Sequence, residues 1–300
     1  VDELTMDLAH LLTEQHQPEL ADLDRRDTVA LVRLMADDQV AALDALVRAA
    51  PEIAAAIDAV VARLEGGGRL IYVGAGTAGR LGVLDAAECP PTFNTDRVIG
   101  VLAGGFDALL KSSEAVEDDA AAGAADMDRL SLSGQDAVVG VSASGRTPYT
   151  IGAVHHARRL GAVTVGVASN PDAELSRHVD HPLELVAGPE VIAGSTRLKA
   201  GTAQKVVLNM FSTIAMVRLG KTYGNLMVDV RATNHKLRQR ARRIVSQATG
   251  ADAATAEQAI AAAGGDVKVA IVMLLTGVDA GDAAARVAAH EGRVRGAVEG

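Results

Sequence analysis

Five short apolar runs constrain this 300-residue chain more than any other feature. They occupy residues 69–73, 98–102, 137–141, 163–167 and 183–186. Each is nearly continuously apolar and rich in Val, Ile or Leu. A strand whose two faces are both covered by helices reads in this way. Helical segments separate most of the runs, and that alternation predicts an α/β fold with a doubly wound, five-stranded parallel sheet. Aromatic residues make up only 2 % of the chain, with no Trp, so the core must be built from Ala, Val, Leu and Ile.

The flanking segments are helical. Between residues 28 and 64, Leu31, Val32, Leu34 and Met35, then Val40, Leu43, Leu46 and Val47, recur near helical spacing. Pro51 opens a further helix, which Gly66-Gly67-Gly68 ends. After Gly194 a long helix is expected, with Ser195 or Thr196 as its N-cap. Lys111–Asp118, KSSEAVED, reads as helical. A basic helical segment follows within 223–249, and residues 250–300 read as a small three-helix unit broken near Gly264-Gly265 and Gly277. The expected division is 1–50 as N-terminal helices, 51–222 as the sheet domain, 223–249 as a connecting helix and 250–300 as a helical module.

Net charge of -9 and a pI near 5.4 argue against a nucleic-acid-binding surface, which needs a basic face. Cys89 is the single cysteine, so no internal disulfide is possible. The first residues are acidic and lack signal-peptide character, and the longest apolar runs are broken by Gly, Asp or Arg, so no bilayer span is expected. A cytoplasmic protein without membrane contact is the expectation. His155-His156, His178 and His181 match no metal-ligand spacing, so no metal is expected.

The strand ends read GAGTAGR, AGGFD, SASGRTP, ASNPD and AGPEV. Open α/β sheets bind ligands at this carboxyl edge. Gly74-x-Gly76-x-x-Gly79 matches the dinucleotide pattern, but the next strand ends Leu102-Ala103-Gly104-Gly105, without the acid that would hold a ribose. Asp96 precedes that strand and Asp107 lies beyond the glycines. A cradle for a smaller anion and a plain strand–helix turn both remain open. Ser142, Ser144 and Thr147, with Gly145 between them, offer three hydroxyls near a helix start, more than a cap requires. Glu88 stands before Cys89-Pro90-Pro91, and Glu114, Glu117 and Asp118 would share neighbouring helix faces. Glu190, Ser195, Arg197 and Lys199 form a last cluster. Taken singly, each of these charges also reads as a solvated helix residue.

Together, GAGTAGRLG with ECPPTF, SASGRTPY, GSTRLKAGTAQK and GNLMVDVRATN resemble the N-acetylmuramic acid 6-phosphate etherase family, of the SIS sugar-phosphate fold superfamily. The likeness runs from about residue 50 to the end, where the tail resembles a small ubiquitin-associated-like module. It implies a flavodoxin-like sheet and a lyase that cleaves the D-lactyl ether of an amino sugar phosphate, N-acetylmuramic acid 6-phosphate. It implies no cofactor and a homodimer. By motif it assigns Glu88 as proton donor and Glu117 as the second catalytic carboxylate, with Glu114 one turn away. It places Ser142, Ser144, Gly145 and Thr147 on the phosphate. Gly74, Gly76, Thr77, Glu190, Ser195 and Lys199 complete the substrate site. Three departures stand out: Ala78 where the family usually has Ser, a divergent FDALLKSSEAVED stretch in which Glu117-Asp118 remains, and a Gln-rich TEQHQP near the N-terminus. A sugar-phosphate sensor without catalysis and a sugar-phosphate isomerase are the competing readings.

Overall fold

A computed structural model describes residues 10–111, 116–229 and 235–300. The chain forms two compact units, Val1–Ala87 with Arg97–Phe211, and Glu88–Asp96 with Ser212–Gly300.

The first unit holds a five-stranded parallel sheet: β1 (Leu70–Gly74), β2 (Val98–Leu102), β3 (Ala137–Val141), β4 (Val163–Ala168) and β5 (His181–Glu184). The strand order is β2-β1-β3-β4-β5, the flavodoxin-like order, reversing direction of growth at β1/β3. Its α-helices are α1 (Thr28–Asp38), α2 (Val40–Arg48), α3 (Ala50–Glu65), α4 (Gly76–Phe93), α5 (Asp107–Leu110), α6 (Ala120–Arg129), α7 (Pro148–Arg159) and α8 (Lys199–Arg218), of which α4 and α8 run on past the unit's bounds. The two-residue period of β1 sorts its side chains. Ile71 and Val73 join Met127 of α6 and Tyr149, Ala153, Val154 and Ala157 of α7 in one core. Tyr72 points the other way, and its hydroxyl donates to the Leu208 carbonyl of α8 at 3.1 Å. At the amino edge of the sheet, Asp136 accepts from the backbone N–H and the guanidinium of Arg69 and from the N–H of Ser133, tying β1 to β3.

The glycine turn brings β1 and α4 into backbone contact. A Cβ on Gly79 would fall 2.4 Å from the Gly74 carbonyl oxygen and 2.6 Å from Leu102 Cδ1. No larger residue fits there.

Three expectations about this unit change. The fifth strand begins at His181 rather than at residue 183, so it includes Pro182. Proline lacks an N–H, and an edge strand with one neighbour tolerates that loss. The helix expected after Ser195 begins at Lys199. The buried Glu190 carboxylate accepts from the N–H groups of Lys199 and Ala200 at 3.1 and 3.0 Å, so a distant carboxylate caps the helix instead of Ser195 or Thr196. Within Lys111–Asp118, the described residues 116–118 form a turn, not a helix. Asp119 then caps α6 by accepting from the Ala122 N–H at 2.9 Å. Glu114 lies outside the described residues.

The second unit contains a hairpin, β6 (Thr222–Tyr223) and β7 (Leu226–Met227), joined by Gly224-Asn225. Then come α9 (His235–Thr249), α10 (Ala253–Ala262), α11 (Val267–Thr276), α12 (Ala280–Ala289) and α13 (Val294–Glu299). The connecting helix is therefore shorter than 223–249, because the Gly-Asn turn folds the chain back first. The tail holds four helices rather than three. Glu291 and Gly292, both at positive φ, make the additional break. Asp252, Asp266 and Asp279 cap α10, α11 and α12. Among the described residues no single helix is long and apolar enough to cross a membrane, although α10 and α11 pass that test as a pair bent by 114°.

Candidate active site

A cavity of about 360 Å³ opens at the carboxyl edge of the sheet, at the β1/β3 switch point. The β1–α4 turn lines it with Gly76, Thr77, Ala78 and Arg80. The β3–α7 loop adds Ser142, Ser144, Arg146 and Thr147. Glu117 and Asp118 come from the turn before α6, Thr196 and Gln204 from the α8 region, and Glu14 from the N-terminal segment. Two other cavities in this unit, of about 410 and 760 Å³, lie beside the edge strands; each is lined by a single hydroxyl residue, Ser176 in one and Tyr149 in the other, and neither reaches the Ser142–Thr147 loop or the start of α4.

The loop after β3 folds around its own hydroxyls. Ser142 Oγ lies 2.8 Å from Thr147 Oγ1 and 3.3 Å from Ser144 Oγ. It also accepts from the Gly145 N–H at 3.1 Å, while Ser144 Oγ accepts from the Arg146 N–H at 3.2 Å. Gly145 sits at φ +70, which favours glycine, and a Cβ there would meet Ala173 Cβ at 2.4 Å. Gly145 thus shapes the loop with its N–H turned inward. The hydroxyls line the cavity and can each reorient toward a ligand. Opposite them, α4 begins at Gly76. The N–H groups of its first residues precede the first intrahelical bond, so they are donors for an anion.

Glu117 reaches the cavity because its turn is anchored. Its carbonyl accepts from the Tyr149 N–H, in the first turn of α7, at 3.0 Å. The Tyr149 hydroxyl bonds to Asp126 of α6, and burial pushes its ionisation far upward. Glu14 is held by a buried strap. Thr13 donates its N–H to Asn170 Oδ1 at 3.3 Å, and Asn170 Nδ2 donates to Thr13 Oγ1 and to the Ala143 carbonyl at 3.1 and 3.0 Å. The Gly194 N–H donates to the Thr13 carbonyl at 2.8 Å, and a Cβ on Gly194 would stand 2.6 Å from a Glu14 carboxylate oxygen.

The sequence candidates divide accordingly. Gly76, Thr77, Glu117, Ser142, Ser144 and Thr147 line the cavity. Gly74 and Gly145 shape its loops from behind. Glu190 is committed to the start of α8; burial raises its pKa, against the pull of the Ala200 and Lys199 amides. The Lys199 ammonium is buried in an ion pair with Asp38, at 2.6 Å. Ser195 is not among the lining residues, whereas its neighbour Thr196 is. Glu88 is exposed on α4, falls in the second unit and is not among the lining residues. The sequence reading missed Glu14, Arg80, Arg146, Thr196 and Gln204. Gln204 is buried, and its amide nitrogen has no hydrogen-bond partner among the described residues. Among the described residues no cluster of three or more His, Cys, Asp or Glu could hold a metal ion.

Residues 52–158 match the glucokinase regulatory protein N-terminal SIS domain, and residues 111–214 match the SIS domain. An N-acetylmuramic acid 6-phosphate etherase from Rubrobacter xylanophilus is 64 % identical over 270 residues, 89 % of this chain and 90 % of that protein. Another from Streptomyces coelicolor is 57 % identical over 298 residues, 99 % of this chain and 96 % of that protein. The chain belongs to the N-acetylmuramic acid 6-phosphate etherase family. A third member, from Serratia proteamaculans, is 52 % identical over 295 residues, 98 % of this chain and 99 % of that protein. An etherase is a carbon–oxygen lyase, and the chain is an enzyme of that class.

Proposed function

We propose that this cavity takes N-acetylmuramic acid 6-phosphate and releases D-lactate, leaving N-acetylglucosamine 6-phosphate. The observation that carries the reading is Glu117 in one cavity with the Ser142, Ser144 and Thr147 hydroxyls and the start of α4. The hydroxyls and the α4 amides hold the 6-phosphate. That anchor sets the open-chain sugar so that C2 faces a carboxylate. Glu117 takes the C2 proton, which is acidic because it lies α to the aldehyde. The electron pair forms the C2–C3 double bond, the C3–O bond breaks, and the lactate oxygen leaves with a proton from Glu88. Water then adds across the double bond and restores the C3 hydroxyl. One carboxylate acting as base and one as acid is what this elimination requires.

Glu88 stands twelve residues beyond Gly76, about 18 Å along α4 at the usual helical rise. We infer that a homodimer supplies it, the partner's Glu88 acting beside Glu117. Glu14 serves as an acceptor for sugar hydroxyls, since a carboxylate near two substrate anions must pair with donors. A phosphorylated substrate and the absence of a long apolar helix among the described residues fit a cytoplasmic setting. The test is incubation with N-acetylmuramic acid 6-phosphate and assay of D-lactate. Release at a saturable rate is expected. Tight binding without lactate would favour a sensor, and aldose–ketose interconversion without lactate would favour an isomerase.

A further inference from the structure

Helices α1 and α2 carry two apolar faces, and the first unit uses only one of them. Gln39, itself in right-handed helical conformation, joins the two helices almost without a break. Their inner face buries Ala42, Ala45 and Leu46, and places Asp38 on Lys199 and Gln39 on Thr202. On the outer face Val29, Val32, Val40, Leu43 and Val47 are 50 to 74 % exposed. With Ala36 they step 3, 4, 4, 3 and 4 residues apart. At 3.6 residues per turn all six fall within about 40° of one direction. α1 itself buries none of its residues. A stripe this regular on a water-facing helix marks an interaction surface.

The order of residues along the stripe says what it fits. A two-fold axis beside residue 38, between antiparallel copies, sets Val29 against Val47, Val32 against Leu43 and Ala36 against Val40. Arg33 and Asp44, both exposed, lie on one flank of the stripe. An antiparallel two-fold pair brings like flanks together, so Arg33 of each copy meets Asp44 of the other. Apolar positions thus match apolar ones and opposite charges match twice, as an isologous interface demands. A foreign partner gives no reason for this self-complementary order. We propose that the outer face of α1–α2 is the surface on which a second copy of this chain docks, antiparallel, about an axis beside residue 38. This rests on the homodimer reading above and adds the place and register of the contact.

Sedimentation of the full chain, with circular dichroism melts as a check of folding, tests it. Wild type should sediment as a dimer at micromolar concentration, and the Val32→Asp/Leu43→Asp variant as a folded monomer. Arg33→Asp and Asp44→Arg should each raise the dimer dissociation constant at least about tenfold, because each acts twice. The combined charge swap should return it to within about threefold of wild type. A Val32→Asp/Leu43→Asp variant that stays dimeric, or a swap that recovers nothing, overturns this surface and leaves the homodimer reading standing. A wild-type chain that is monomeric at every concentration overturns both.

Discussion

The carboxylates divide by how the chain presents them. Glu117 is half-buried in the cavity wall, Glu14 lines the same cavity, and Glu88 is exposed on a helix. Glu117→Gln and Glu88→Gln should each lower kcat for lactate release by at least about 100-fold. Neither side chain is fully buried, so melting temperatures should stay near wild type, which separates lost chemistry from lost fold. Glu14→Gln should act differently, raising KM several-fold with a smaller effect on kcat, as the proposed role of holding substrate without moving a proton requires. A loss confined to kcat would remove Glu14 from that role. Glu88, Glu117 and the three hydroxyls were readable as candidates because they stand in dense local patterns. Glu14 was not, because a polar TEQHQP segment has no periodicity. Long-range bonds bring it to the cavity: Thr13 pairs with Asn170, 157 residues away, and its carbonyl accepts from the Gly194 N–H.

Elements were legible where a buried strand or an amphipathic stripe repeats, and blurred where a distant group sets the boundary. β2 and β3 match the expected residues, while β5 and α8 shift because Pro182 is tolerated at an edge and Glu190 caps from afar. The Arg69–Asp136 link at the amino edge shows how one such group holds two strands. Burial pushes the Asp136 carboxyl up, but the Arg69 guanidinium and the amides of Ser133 and Arg69 outweigh it, and the pKa ends below its ordinary value. Its folded value being the lower one, its contribution to stability is complete above the unfolded carboxyl value near 4 and is lost as pH falls through the folded value. Asp136→Asn should therefore cost about 2–4 kcal/mol in urea unfolding at pH 7. The gap from wild type should narrow as pH falls below the unfolded carboxyl value near 4. A gap that does not change with pH would mean that the side chain's shape matters and its charge does not. Gly79→Ala should also destabilise, since the Gly74 carbonyl oxygen cannot yield the space.

For the whole molecule the decisive matter is which chain supplies which carboxylate. If the partner's Glu88 acts beside Glu117, then mixing inactive Glu88→Gln and Glu117→Gln proteins rebuilds one intact site in each mixed dimer. Random exchange should recover about a quarter of the wild-type rate, because half of the dimers are mixed and one of two sites is complete. If both carboxylates act within one chain, the mixture should stay at the level of its inactive components.

The five parallel strands, their glycine- and hydroxyl-rich carboxyl ends and the family are legible from the order of residues alone. Each of these is written in local pattern: a covered strand needs an unbroken apolar run, and a backbone turn against a helix start needs glycine. Which of the marked residues share one cavity emerges only from the folded chain, and long-range contacts settle it. Folding drew Lys199 to Asp38 and Glu190 to the start of α8, and it brought Glu14 to the cavity. Those assignments depend on hydrogen bonds and ion pairs between residues far apart in the chain, whose partners exist only once the sheet and its covering helices have formed.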